Sequence, residues 1–364
     1  MHGILVTKVV NRDYNDAAGG CAMKSIAQTM IGVDITKQVF QVHEVNAETG
    51  EVIRRQIKRA KFLDYFANRQ SCLIGMEACG GAQHWARRLM ALGHAVKLLP
   101  AQQVRPFAVG NKNDVADAQA IWVAMLQPGI RAVAVKSEAQ QAVLALHRMR
   151  QQLVKFRTAQ MNGLSGLLAE YGEVMPKGRA ALTKMIPLVL GRLTDRLPTV
   201  LIETLREQYA RIGQMEGQIA DIERRLQLWH REDEDCQRIA AIPGVGLLTA
   251  TAAVASMGDP RAFRSGREFA AWLGLVPRQT GTGGKVRLLG ISKRGDTYLR
   301  TLLIHGARSV LVHSRTPSPW TTAILQRRSL NVAAVALANK MARTVWALIA
   351  HRRIYQCGYV SQPA

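Results

Sequence analysis

The sequence predicts an α/β amino-terminal domain, a long helical middle and a mostly α-helical carboxy-terminal part. Three observations carry that reading. Short β-branched runs alternate with helical stretches up to about residue 100, which calls for a central sheet flanked by helices. Apolar residues then recur three and four apart across residues 205–229. Beyond residue 237, Ala- and Leu-rich stretches are separated by Gly and Pro turns. The expected divisions are 1–27, 28–172, 173–236, 237–325 and 326–364, the last a helix and tail.

Residues 1–27 have no clear period. They read as a disordered extension or as an upstream start, with Met23 or Met30 the initiator. Residues 28–57 read as strand, turn, strand, because TMIGVDITKQVFQVHEV is β-branched and partly alternating and NAETGE is a turn. Residues 59–69 read as a short helix, and SCLIGME (71–77) as a buried strand that Gly80 and Gly81 break. A helix with Trp85, Leu89 and Leu92 on one stripe follows, then the strand HAVKLLP, closed by Pro100. A helix from about Asp114 to Leu126 places Asp114, Asp117, Ala118, Ile121 and Met125 on one side.

Four carboxylates stand where apolar segments start or stop: Asp34 in IGVD, Glu77 in GMEACGG, and Asp114 with Asp117 in NKNDVADAQAI. A carboxylate in such a place is costly unless it is paired or holds a metal. Clustered carboxylates are also how proteins hold Mg²⁺ against phosphates, so the set suggests two-metal cleavage of a nucleic-acid backbone. The two aspartates are expected on the buried face of their helix. The competing reading is an exposed acidic pair at a helix start.

Ser137 and Gln140 form a capping-box signature for a helix running to Gly172. A second long helix covers about 199–232, with Leu205, Ile212, Met215, Ile219, Ile222, Leu226 and Trp229 in heptad spacing and Gln208 in a core position. This seam would join copies of the chain as a dimer or tetramer, or pack on the 138–170 helix. REDEDC (231–236) reads as a solvated acidic break and a domain boundary.

IPGVG, between two helical stretches, is a helix-hairpin-helix signal, in which Gly244 and Gly246 let amide groups face a phosphate. The basic tract PRQTGTGGKVRLLGISKRGDTYLR follows, with Arg278, Lys285, Arg287, Lys293, Arg294 and Arg300 against the single acid Asp296. Gly281, Gly283 and Gly284 suggest a flexible loop, and Thr280, Thr282 and Ser292 supply hydroxyls. The tract is either a phosphate clamp or the carrier of a nucleophilic hydroxyl. GTGGKV lacks the spacing of a Walker loop. Residues 297–312 and 331–350 read as helices.

Lys and Arg number 49 against 26 acids, a formal charge of +23, which implies a polyanionic partner. Five dispersed cysteines (Cys21, Cys72, Cys79, Cys236, Cys357) form no Cys-x-x-Cys pair, which argues against a zinc knuckle and fits a reducing cytoplasm. No signal peptide is evident, and Asn339, Lys340 and Arg343 interrupt the most apolar carboxy-terminal stretch, so no membrane partner is expected.

Taken in order, IGVD, GMEACGG, NKNDVADAQAI, IPGVG, GLVPRQTGTGGKVRLLGISKRGD and NVAAVALANKMARTVWAL resemble the insertion-sequence-110 family of DEDD transposases, in particular its eleven-eleven subgroup, over about residues 28–350. The resemblance implies a RuvC-like (RNase H-like) amino-terminal domain, a coiled-coil middle and a small carboxy-terminal transposase domain. Asp34, Glu77, Asp114 and Asp117 match the family's acidic set. It further implies a recombinase that excises and inserts a mobile element, with DNA partners (element ends, junction and target), Mg²⁺ as two ions, and in some members an element-encoded structured RNA. The expected setting is a bacterial cytoplasm, at the nucleoid. In the family a carboxy-terminal serine attacks the DNA backbone. Where one or two serines usually precede Gly-Gly, this chain has Gly281 and Thr282, which makes Thr282 the candidate nucleophile and Ser292 the alternative.

Three other readings stay open at this level. One is a RuvC-like junction endonuclease using activated water. Another is an inactive DNA-binding relative. IGVD can also open a sugar-kinase-like ATPase, but no second Gly-rich phosphate loop appears in 95–130.

Overall fold

The computed structural model describes residues 29–46, 48–109 and 113–357. The expected extension at 1–27, with Cys21, lies outside the described residues. The chain forms two compact units that divide between Ile130 and Arg131.

The first unit is built on a five-stranded sheet, ordered β3-β2-β1-β4-β5. Strand β1 (Met30–Ile35) pairs antiparallel with β2 (Val39–Val45), and β2 pairs antiparallel with β3 (Val52–Lys58). Strand β4 (Leu73–Glu77) lies parallel to β1, and β5 (Ala95–Leu99) parallel to β4. The run read as one strand over 28–45 is therefore two. It turns at Thr36–Gln38, where the Thr36 Oγ1 accepts from the Val39 N–H at 3.3 Å, so no Gly or Pro marks the reversal. Helix α1 (Phe62–Ala67) and helix α2 (Ala82–Ala91) cover one face with a cluster of Phe40, Phe62, Phe66 and Trp85 edge to face. The short α3 (Ala101–Val104) leads to α4 (Asp114–Met125), which buries Ala118, Ile121 and Met125 on the other face. A mixed sheet of this order is compatible with an RNase H-like domain.

The second unit starts from α5 (Glu138–Ala169), opened by the Ser137–Gln140 capping box. Helix α5 was expected to close the first domain. It packs instead on α7 (Thr199–Glu232), because Val143, Met161, Leu164 and Leu168 share a buried stripe with that helix. Helix α6 (Arg179–Leu193) joins them; Pro187 in its interior hid it from periodicity.

The α7 seam is covered within one chain. Leu205, Ile212, Ile219, Ile222 and Leu226 are buried, and Gln208 in the core register donates to Gln160 Oε1 at 3.0 Å. Of the two readings of this seam, packing on the 138–170 helix is the one seen within the chain, with α5 as its main partner.

REDEDC forms a tight corner between two helices. Asp233 ends α7 and caps α8 (Glu234–Ala240), accepting from the Cys236 N–H at 2.8 Å, and Cys236 is fully buried. Helices α9 (Leu247–Met257), α10 (Gly266–Trp272), α11 (Thr297–His313), α12 (Pro319–Arg327) and α13 (Leu330–Ala350) complete the unit, with an antiparallel ribbon of β6 (Pro277–Thr282) and β7 (Lys285–Ile291). By length and composition, α13 reaches what a membrane crossing needs, despite Lys340 and Arg343. Here it packs on α8, α10 and α11 and buries Ala338, Met341, Ala342 and Val345.

Candidate active site and nucleic-acid interface

The acidic site depends on how closely α4 approaches the sheet. A Cβ on Gly32 would stand 2.4 Å from the Ala118 carbonyl oxygen, so only glycine lets α4 lie across β1. Asp34 is two residues further along β1 and shares that face; Glu77 has the same relation to Gly75 on β4. At the start of α4 the cap is Asn113, whose Oδ1 accepts from the Ala116 N–H at 2.7 Å. The aspartates of the first turn are therefore not the cap.

One carboxylate oxygen from each of Asp34, Asp114 and Asp117 lies within 4.8 Å of the others. Glu77 stands outside this trio, although its charge reaches Asp34. The expectation that both aspartates are buried is corrected. Asp114 is exposed and Asp117 half-buried, because the first turn of α4 extends past the covered part of the sheet. Burial, followed by the charges of Asp117, Asp114 and Glu77, pushes the Asp34 carboxyl up to about 6. Three carboxylates this close repel one another unless a proton or a cation intervenes. An all-oxygen donor set of this kind suits a hard divalent cation.

The basic tract forms an antiparallel hairpin where a loop was expected. Gly283 and Gly284, both at positive φ, make the two-residue turn of a hairpin. Thr282 pairs with Lys285 and Thr280 with Arg287, which puts two hydroxyls and two cations on one face. The other face carries Val286 and Leu288, 67 % and 61 % exposed. Arg278, Lys285, Arg287, Lys293 and Arg294 are exposed.

Arg300 departs from this pattern. It is 7 % exposed and donates to the carbonyls of Leu273 (2.8 Å) and Arg294 (2.7 Å) and to Thr297 Oγ1 (3.0 Å). It fastens the loop that presents Lys293 and Arg294, and its expected phosphate contact is corrected accordingly. Ser292 is half-buried in the same loop; its N–H donates to Val276 O at 2.8 Å, and its Oγ accepts from the Arg294 N–H at 3.5 Å.

In IPGVG, Gly244 is first a packing residue. It has φ +86°, and a Cβ there would lie 2.7 Å from the Gly306 carbonyl oxygen of α11. Gly246 is exposed at the start of α9, with nothing within 4 Å of a Cβ.

Sequence reasoning missed a groove of 840 Å³ in the first unit, lined by Lys37, Lys58, Arg59, His84, Trp85 and Arg88 among others. These residues come from three separate segments, so no motif joins them.

Two family models match the sequence. One, a DEDD model of IS110 elements described as Transposase, covers residues 31–173; the other, Transposase IS116/IS110/IS902 family, covers 236–322. A probable family 20 transposase of Pseudomonas aeruginosa is 50 % identical over 333 residues, covering 90 % of this chain and 98 % of the relative. The transposase for insertion sequence element IS1111A of Coxiella burnetii is 43 % identical, covering 93 % of each chain. The transposase for insertion sequence element IS1328 of Yersinia enterocolitica is 38 % identical, covering 90 % of this chain and 98 % of the relative.

Proposed function

Because the chain belongs to the IS110 family of DEDD transposases, we propose that it cleaves and rejoins DNA to excise and insert an insertion-sequence element. The observation that carries this reading is the Asp34–Asp114–Asp117 trio, with ligand atoms within 4.8 Å of one another.

Asp34, Asp114 and Asp117, with Glu77 beside them, would hold Mg²⁺, as two ions. Bound there, divalent cations neutralise charge developing on a phosphodiester and favour ionisation of an attacking hydroxyl. Asp34 supplies the half-buried anchor of the set, and the first turn of α4 supplies two carboxylates at a fixed separation. Thr282 is the nucleophile of this proposal. Its Oγ would form an ester with the phosphorus and release a deoxyribose hydroxyl. Its β-branch limits χ1, so the hairpin must fix the attack geometry. Ser292 is the alternative. Lys285 and Arg287, on the same ribbon face as Thr282, favour a phosphate there. Gly246 and the start of α9 fit a helix-hairpin-helix phosphate contact, and α5 with α7 fits an intramolecular antiparallel coiled coil. The DNA partners are the element ends, junction and target; an element-encoded RNA belongs to the same proposal.

The test is Asp114→Asn. Strand cleavage should disappear while DNA binding is retained, and equal loss of both would sink the assignment. Peptide mapping of a covalent adduct separates the chemistries. A DNA-linked peptide containing residue 282 or 292 names the nucleophile. Cleavage with no adduct points to hydrolysis by activated water.

A further inference from the structure

We propose that the groove lined by Lys37, Lys58, Arg59 and Arg88 binds the sugar–phosphate backbone of the DNA strand that is presented to the acidic trio. This rests on the transposase reading and deepens it. The groove opens at the end of the sheet where β1 finishes at Ile35, next to Asp34, since Ile35 pairs with Phe40 and Val39 with Lys58. Lys37 follows Asp34 by three residues, at most about 11 Å of extended chain. The turn Thr36–Gln38 is the wall between the two features. Gly32 faces α4, whereas Phe40 packs on Trp85 under α2, so groove and acids lie on opposite faces of one sheet end.

The charges are unbalanced, and Arg59 is held in place. No ion pair among the described residues engages Lys37, Lys58, Arg59 or Arg88. Asp64, the one acid lining the groove, is met by Lys61 Nζ at 3.2 Å. The Arg59 guanidinium lies 5.0 Å from the Trp85 ring centroid and 5.7 Å from that of Phe40, and the Arg59 backbone N–H donates to Gln38 O at 2.8 Å. A guanidinium positioned by aromatic rings rather than by a carboxylate keeps its donors for an incoming anion. At 840 Å³ the groove admits nucleotide-sized groups rather than a single ion. The acidic trio, before cations bind, repels a phosphate. Cations on the same sheet end offset that repulsion and hold the strand, the more so at low salt. A continuous polyanion spanning both features meets this requirement.

The experiment uses the full-length chain. Wild type, Lys58→Gln/Arg88→Gln and Lys97→Gln, an exposed cation on β5, are titrated with fluorescent single-stranded DNA, duplex DNA and RNA in KCl between about 50 and 300 mM. The double variant should bind single-stranded DNA about tenfold more weakly, with a log–log salt slope shallower by about 1.4. Lys58→Arg/Arg88→Lys should restore binding, and Lys37→Gln gives a second reading should the double variant melt early. DNA affinity and slope equal to those of Lys97→Gln, or loss confined to RNA, would overturn the proposal. Wild type that binds no DNA would instead overturn the transposase reading itself.

Discussion

Gly32 and Ala118 are in backbone contact: the Ala118 carbonyl oxygen occupies the space that a Cβ on Gly32 would need, 2.4 Å from it. That contact brings the start of α4 to Asp34. Gly32→Ala must push the helix away, at a cost of about 3 kcal/mol in urea unfolding, and should remove strand cleavage. Gly80→Ala, with nothing within 4 Å of a Cβ, should change neither.

Asp34 is stabilised in its protonated form, its carboxyl raised from 3.8 to about 6 by burial and by the charges of Asp117, Asp114 and Glu77. The stability this contributes is full below pH 3.8 and lost as pH rises through about 6. In chelator at alkaline pH, Asp34→Asn should therefore be more stable than wild type by about 2 kcal/mol. Added Mg²⁺ should raise the Tm of wild type and leave the variant nearly unmoved. A lower Tm for the variant in chelator would contradict this.

His147 gives a second pH dependence, of different origin. It is buried between Tyr298 (Oη at 2.9 Å) and Thr251 (Oγ1 at 2.9 Å), and burial followed by Arg150 lowers it from 6.5 to about 4. Above pH 6.5 it is neutral in both folded and unfolded chains. As pH falls towards 4 only the unfolded chain gains the proton, so stability drops by about 3 kcal/mol over that window. Urea midpoints of His147→Gln should lack this decline, although the variant starts lower at neutral pH through its weakened hydrogen bonds.

Arg300 and Arg287 belong to one basic tract and should fail differently. Arg300→Ala leaves two carbonyls without a buried donor and should cost about 3 kcal/mol in stability. Arg287→Gln, on the exposed ribbon, should leave Tm unchanged and weaken DNA binding, with a salt slope shallower by about 1. Comparison of melting curves with binding isotherms separates the two roles.

Local signals were readable wherever the chain satisfies itself locally. The Ser137–Gln140 box starts α5, and the short apolar run in SCLIGME makes the buried strand β4. Long-range partners were not readable. The turn at Thr36–Gln38 uses a threonine hydroxyl in place of Gly or Pro, and α6 tolerates Pro187. Arg300 has the composition of a phosphate contact, but carbonyls 27 and 6 residues away claim its donors. The acidic residues were identifiable by position, whereas the exposure of Asp114 depends on how far α4 extends past the sheet.

The covered α7 seam has a consequence for dilute protein. A zipper between two chains melts earlier as concentration falls, because association is part of its folding equilibrium. Here Leu205, Ile212, Ile219 and Leu226 are buried within their own chain, so these contacts need no second copy to form. The expected outcome is a melting temperature for the arm that does not move on serial dilution.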